Sequence, residues 1–444
     1  MQTKESPLNL KKLNKSKTVF IGFLLIINSA MLGQAISPIL VGNNVWYINP
    51  SEEVWQKTAE SGLTLIRIGG HRYDVEMPSK ETLLDWVNRI QGMNAEPMLQ
   101  VSQYQTPKQA AEIVKFFNIE KNGNKAPIKF WNIGNEPWLQ NGRKPFDSVG
   151  AFVETYFKPI AAAMKEVDPS IKIYGPDVCD YIDEIYNDLF GGKNDITGKI
   201  PGKGYYYCDG LSWHRYPQGD GNPATDGYID IFERIVKAKA KTDFVNEKHH
   251  RTGDDKLIWG IGEYNSKGGE IVHTWENGQM FGAVLGAVMK YEGLYAATWS
   301  MFEHDGSRTG TDFSFLDGDN LTPRASYRHM EFIAKYFKGN YVDGISSHQG
   351  IICFGSKQDD AVSVLIMNRE TSGELAYTLN LNNKSEIGDH VSLSLNTNVS
   401  KKIEGVIKAE SSQLLIFDGS EIKMYSYSKA DFLNGEAPSL RGVR

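Results

Sequence analysis

The sequence predicts an α/β fold, a (β/α)8 TIM barrel followed by a small all-β sandwich, and three observations carry that prediction. From about residue 40, short apolar runs alternate with longer segments of helical period, the mark of repeated β/α units around a parallel sheet. Beyond Gly339 the period becomes alternating, in short runs separated by Asn, Gly, Asp and Ser. The length, 444 residues, suits a barrel of about 250 residues with a small companion.

Taken in order, residues 44–48 read as strand one. Ser51 then serves as an N-cap, with Glu52 and Glu53 facing the positive end of a helix that runs to Gly62. Residues 63–68 form strand two, which leads into Gly69 and Gly70. Residues 79–92 are helical, with Leu83, Leu84, Val87 and Ile90 on one face. Strand three covers 97–102, and a helix 108–117 follows. Strand four is Phe130-Trp131-Asn132-Ile133-Gly134-Asn135-Glu136, and Pro137, which lacks an N–H, stops it with Glu136 at its exit.

The second half repeats the rhythm. A helix over 149–166 carries Pro159, which should kink or split it. Strand five is 171–177, residues 191–204 are loop, strand six is 209–217 and a helix spans 229–240. Strand seven, 257–265, carries Glu263; strand eight is 295–302, and a closing helix covers 326–336. Six β-rich runs between 351 and 417 make the sandwich, expected to be antiparallel. The expected domains are therefore a barrel over 36–339 and a sandwich over 340–444, behind a leader of residues 1–35.

In that leader five lysines precede an apolar run from Val19 to Ile27, and Gly33-Gln34-Ala35 supplies small residues for a signal peptidase. The run is too short for a membrane anchor, which needs about 20 apolar residues. Export to the periplasm, cell surface or medium is expected, with no membrane contact in the mature protein. Loss of the five lysines and Glu5 takes the formal charge from −6 to −10, and so acidic a surface excludes nucleic acid as a natural partner. Three cysteines provide neither a metal framework nor a disulfide scaffold; Cys179 and Cys208 are open to pairing or to remaining reduced. Asp317-Gly318-Asp319-Asn320 lacks the downstream glutamate of a calcium loop and reads as a turn.

Two apolar runs thus deliver a glutamate each to a strand end, and the reactive residues of such barrels sit at the C-terminal ends of strands. A carboxyl between bulky rings is poorly hydrated, which raises its pKa as a general acid requires. Taken alone, Asn-Glu-Pro is equally a helix-capping glutamate; the second glutamate makes it one of a pair. Two carboxyl groups about 5 to 5.5 Å apart are what retaining glycosidases use, one protonating the leaving oxygen and the other attacking the anomeric carbon.

Strand four ending in Asn-Glu-Pro and strand seven ending in a second Glu resemble clan A of the glycoside hydrolases, over residues 43–337. The resemblance implies Glu136 as acid/base, Glu263 as nucleophile and Asn135 as partner of the sugar 2-hydroxyl. Arg67 is similar to the clan's arginine beside the nucleophile, and a surface cation suits its apolar neighbours less well. His214 and Tyr216 resemble its histidine-x-tyrosine, with the tyrosine donating to the nucleophile; a core histidine is the alternative. Trp299 looks like the tryptophan that floors the first sugar subsite, often followed by a cis peptide, here Trp299-Ser300.

Trp138, Tyr104, Tyr264 and Phe302 are placed to stack on sugar rings, whereas Trp86, Trp213 and Trp259 belong in helix or strand bodies. His71, Arg72, Asp177, Arg215 and His304 also stand at strand ends, to read hydroxyls or, for the arginines, a uronate or sulfate, or as solvated loop charges. The expectation is a retaining hydrolase of an oligo- or polysaccharide that uses no metal and no cofactor. A binding barrel without catalysis and a transglycosylase remain open.

Overall fold

The computed structural model describes residues 34–46, 50–138, 146–219, 221–303, 311–382 and 390–443. Eight strands, β1 (Val41–Val45), β2 (Leu65–Ile68), β3 (Glu96–Val101), β4 (Phe130–Ile133), β5 (Lys172–Val178), β6 (Gly210–Arg215), β7 (Ile258–Tyr264) and β8 (Tyr295–Thr298), close into a parallel barrel in chain order. Their alternation sorts side chains into layers. Leu65, Met98, Phe130, Tyr174 and Tyr295 cluster together, while Ile66, Leu99, Trp131 and Ile173 join the larger core that includes the helices. Two residues further along β2, β3 and β4 the inward parity falls on Arg67, Gln100 and Asn132, all buried. An apolar plug thus underlies a polar layer nearer the mouth.

Several boundaries differ from the sequence reading. Strand one lies three residues earlier because Asn43 and Asn44, which look like turn residues, are fully buried within it. Its expected end, Tyr47 and Ile48, lies outside the described residues, as do residues 1–33 of the leader. Strand four ends at Ile133 and strand eight at Thr298, so the residues beyond them belong to loops. The segment around Pro159 is split as expected, into helix Val149–Phe152, a π turn Val153–Phe157 and helix Lys158–Val167. The helix after β6 is longer than the reading, Tyr228–Lys248.

A helix absent from the sequence reading, Trp275–Lys290, joins β7 to β8. Nearly all of it is buried, between the barrel and the second sheet, so it has no polar face and no amphipathic period to reveal it. Asp317 accepts N–H bonds from Asp319 and Asn320 at 3.1 Å each, an ordinary turn. The three cysteines are free. Among the described residues no helix is long and apolar enough to cross a membrane.

The second domain is the expected all-β companion to the barrel, and it departs from the expected antiparallel pairing at one strand pair. It is one curled sheet of nine strands, β9 (Asn340–Ser346), β10 (Ile351–Gln358), β11 (Ala361–Asn368), β12 (Glu374–Asn380), β13 (Val391–Leu395), β14 (Lys402–Lys408), β15 (Ser411–Asp418), β16 (Glu421–Ser428) and β17 (Ser439–Val443). The order is β14-β12-β13-β9-β10-β11-β15-β16-β17, with β12 and β13 parallel. Curling lets one face close on itself, around Val364, Ile366, Leu379, Leu393 and Phe417. The alternate residues Leu365, Met367 and Leu414 pack into the core shared with the barrel. Gln34 and Ala35, the last residues of the expected leader, pair with β9: the Tyr341 N–H donates to the Gln34 carbonyl at 2.7 Å, and Ala35 bridges Asn340.

Candidate active site

The polar layer is built on Arg67. Its guanidinium is fully buried and has five N–H donors, which must all be met where no water reaches. Nε donates to Asn132 Oδ1 at 3.1 Å. Nη1 donates to Asn44 Oδ1 at 2.9 Å and Glu263 Oε1 at 3.0 Å. Nη2 donates to Gln100 Oε1 at 3.1 Å and Asn135 Oδ1 at 2.8 Å, and lies 3.1 Å from Asp177 Oδ2. Four of the five acceptors are neutral amides, so the cation is held rigidly while its charge stays directed at Glu263 and Asp177. Burial alone pulls the Arg67 pKa down, but Asp177 and Glu263 outweigh it and the net direction is up.

Glu136 reaches the same point from a turn. After β4 the chain passes Gly134 at φ 100° and Glu136 at φ 50°, and the Glu136 N–H donates to the Asp177 carbonyl at 2.8 Å. The residue before a proline is kept out of the ordinary helical region, which helps to hold this exit. Opposite, β6 and β7 bring His214 beside Glu263, with a register shift after Trp213. Glu263 Oε2 accepts from the Tyr216 hydroxyl at 2.8 Å.

His214 links the carboxylates. Its Nδ1 lies 3.0 Å from Glu136 Oε1 and 3.5 Å from Glu263 Oε2, and its Nε2 lies 3.7 Å from Asp177 Oδ2. Burial by itself depresses an imidazole pKa, but Glu263, Asp177 and Glu136 reverse the sign and raise it to about 9. Asp177 goes the other way: burial pushes it up, yet Arg67 and His214 hold it below the usual carboxylate range. One ligand atom from each of Glu136, His214 and Glu263 lies within 4.8 Å of the others. With the imidazole raised by its three carboxylate neighbours, the trio is arranged so that protons can pass among its members.

Six of the sequence-predicted residues, Arg67, Asn135, Glu136, His214, Tyr216 and Glu263, therefore meet. Trp299 is fully buried beside them in a cluster with Trp46, Val272 and Phe313, against which Tyr216 packs. Its Nε1 donates to Glu303 Oε1 at 2.9 Å, and the Trp299-Ser300 peptide is cis. His71 opens a short helix, His71–Val75, directly after Gly70.

Other expectations are corrected. Tyr264 is the residue after Glu263 in a strand, so it points to the opposite face, where it is buried against Phe281 with centroids 4.9 Å apart. Arg72 is half-exposed and paired with Glu76 at 2.9 Å. Arg215 is occupied by Asp230 at 2.6 Å and Asp180 at 2.8 Å, which leaves it no fork for a uronate or sulfate. Asp177 is buried beneath Arg67 and His214 and reads no hydroxyl. Phe302 packs on the core. Two of the expected stacking rings keep exposure: Trp138, half-buried and edge-on to Phe152 at 4.9 Å, and the exposed Tyr104. His304 lies outside the described residues. Trp86, Trp213 and Trp259 are core, as expected.

The amides Asn44, Gln100 and Asn132 and the acid Glu303 escaped the sequence reading. The available signal was an amide within an apolar strand, which has to find a buried partner.

No protein-family model matches the sequence, and no curated protein sequence does. Solved structures match in shape. An α-L-arabinofuranosidase from Thermotoga maritima is similar at TM-score 0.64 and 15% identity, over 86% of this chain and 98% of that one. A glycoside hydrolase family 30 subfamily 8 xylanase from Clostridium acetobutylicum follows at 0.58 and 10%, over 87% and 98%. A family 44 endoglucanase from Clostridium thermocellum gives 0.58 and 14%, over 87% and 97%. The fold is therefore a (β/α)8 barrel with an appended β-sheet domain, the shape these glycoside hydrolases share.

Proposed function

We propose that this chain is a retaining glycoside hydrolase that cleaves O-glycosidic bonds through a glycosyl-enzyme intermediate. The observation that carries the reading is the approach of Glu136 and Glu263 carboxylate oxygens to within 4.8 Å, near the about 5 to 5.5 Å typical of retaining pairs and shorter than the about 6.5 to 9.5 Å of inverting ones. In the first step Glu136 gives its proton to the glycosidic oxygen as that oxygen leaves, and a Glu263 oxygen bonds to the anomeric carbon. In the second, Glu136 takes a proton from water, the water oxygen bonds to the same carbon, and the Glu263 ester breaks.

The surroundings suit those roles. Arg67 and Tyr216 each hold one oxygen of Glu263 and so fix its orientation. The His214 imidazolium, 3.0 Å from Glu136, stabilises the carboxylate left once the acid has given up its proton. Asn135, its Oδ1 fixed by Arg67, keeps its amide N–H2 for a substrate hydroxyl, while Trp299, fully buried, backs Tyr216 from beneath the site rather than facing the sugar.

The substrate class is an oligo- or polysaccharide, and arabinosides, xylosides and β-glucans are the first to try because the neighbours named above act on such sugars. Export by the leader is part of the proposal, and N-terminal sequencing of secreted protein tests whether Gln34 and Ala35 stay paired with β9. A panel of aryl glycosides and polysaccharides tests the activity: the native enzyme hydrolyses at least one, and Glu263→Ala loses about 10⁴-fold or more in kcat. Full hydrolysis by Glu263→Ala would refute the assignment, and an inert native protein would indicate a sugar-binding barrel.

A further inference from the structure

The Arg-Ile-Gly-Gly sequence that closes β2 is not explained by the reaction above. Gln100, on neighbouring β3, is where its geometry leads. The Gln100 Oε1 accepts from Arg67 Nη2 at 3.1 Å and from the Gly70 N–H at 2.7 Å, and its Nε2 donates to Asp74 Oδ1 at 2.8 Å. An amide is ambiguous about which end is oxygen, and here the ambiguity is removed from outside. The Gly70 N–H and the Arg67 guanidinium can only donate, so the end of Gln100 they share is the oxygen; Asp74 meets the other end, its Oδ1 also taking the Gln103 N–H at 3.0 Å and its Oδ2 Gln103 Nε2 at 2.9 Å. Its backbone carbonyl accepts from the Ser102 hydroxyl at 2.9 Å, which ties the same turn to the end of β3.

The glycines make this contact possible. A Cβ on Gly69 would overlap the Gln100 Oε1 and come within 3.2 Å of the Arg67 guanidinium carbon. A Cβ on Gly70, whose φ is 106°, would overlap the outer edge of the Trp299 ring. One glycine thus clears the Gln100–Arg67 contact and the other clears the edge of the buried Trp299 ring.

We propose that Gln100, oriented by Asp74 and given room by Gly69, is a positioning residue that aims the Arg67 guanidinium at Glu263. This rests on the reading of Glu263 as nucleophile. Arg67 has two terminal nitrogens on one rigid plane, so fixing Nη2 on Gln100 and Asn135 fixes Nη1 on Glu263. Burial raises the Asp74 carboxyl to about 7. Arg67, Tyr73 and Tyr156 are the titratable groups around Asp74, and the two phenols are held neutral by their own burial.

Two substitutions disturb the contact from opposite sides, Gln100→Met by removing the acceptor and Gly69→Ala by crowding it. Each lowers kcat about 10- to 100-fold with KM within about 3-fold, the size of effect expected from misplacing a supporting group. Each also moves the acid limb of kcat/KM to higher pH, because the cation sits less firmly on the carboxylate. The double variant is no worse than the worse single one, since both act on one contact. Asp74→Asn recovers most of what Asp74→Leu loses, because the Gln103 amide can turn its unpartnered Oε1 toward an asparagine N–H2. A crystal structure of Gln100→Met shows Arg67 Nη1 beyond hydrogen-bond reach of Glu263. Unchanged kcat and acid limb in both variants, beside an inactive Glu263→Ala, would overturn the inference and leave the proposed function standing. If the native protein hydrolyses nothing, that reading falls, and the crystal structure alone decides whether Gln100 aims Arg67.

Discussion

Two histidines in this molecule are equally buried and have opposite proton affinities. His214, in the barrel mouth, is raised to about 9; His329, on the helix Ala325–Tyr336 at the seam with the second sheet, is lowered to about 4. Burial pushes both downward. At the mouth three carboxylates face the ring and reverse the sign. At the seam the neighbours are the rings of Trp275, Phe332 and Tyr427, and the polar partners are neutral: the Ala325 carbonyl on Nδ1 and the Ser412 hydroxyl on Nε2, each at 2.8 Å. Both bonds are satisfied by a neutral ring that donates from Nδ1 and accepts at Nε2. Depth does not decide the charge of a buried histidine here; the charge of its neighbours does.

The comparison breaks most visibly at the cation that organises the mouth. Arg67→Lys keeps a positive charge but offers three donors in place of a five-donor fork, so kcat should fall about 10²- to 10³-fold while the folded state persists. Steady-state kinetics with a thermal melt checks this, and a near-native rate would mean that charge alone suffices.

The next effect is on stability and has a sign. His214 has a folded pKa above its ordinary 6.5, so its contribution is complete below pH 6.5 and is lost as pH rises through about 9. Native protein should lose roughly 3 kcal/mol more than His214→Asn over that window, read by denaturant melts at each pH. His329 behaves in reverse. Its folded pKa is depressed, so its contribution is present above pH 6.5 and is lost as pH falls through about 4. Native protein should lose stability relative to His329→Gln across that acid window by a similar amount, with hydrolysis near neutral pH unaltered in the variant. Parallel slopes for the two histidines would dissolve the contrast.

Much of the mouth was legible because charged and amide side chains interrupt apolar strands conspicuously. Asn-Glu-Pro, the glutamate after Ile261 and Gly262, and an arginine between Ile66 and Ile68 all stand out in that way. Asn44, Gln100 and Asn132 did not: they fell inside the expected strands one, three and four, but their role as buried acceptors depends on Arg67 from another strand, which no local pattern names. Tyr264 was misplaced because β7 continues through it, so parity sends it away from the mouth. The helix Trp275–Lys290 had no period to detect because it is covered on nearly all sides. Curling of the second sheet depends on pairings such as β13 with β9 and β11 with β15, which join strands separated in sequence and leave no local pattern.

The central claim is that Glu136 and Glu263 serve one anomeric centre from opposite sides of a single displacement pair. Proton NMR of the first sugar released, recorded before mutarotation, tests it most directly. A retaining pair releases a sugar with the anomeric configuration of the substrate; release of the inverted anomer would show that the two carboxylates do not act in two successive displacements.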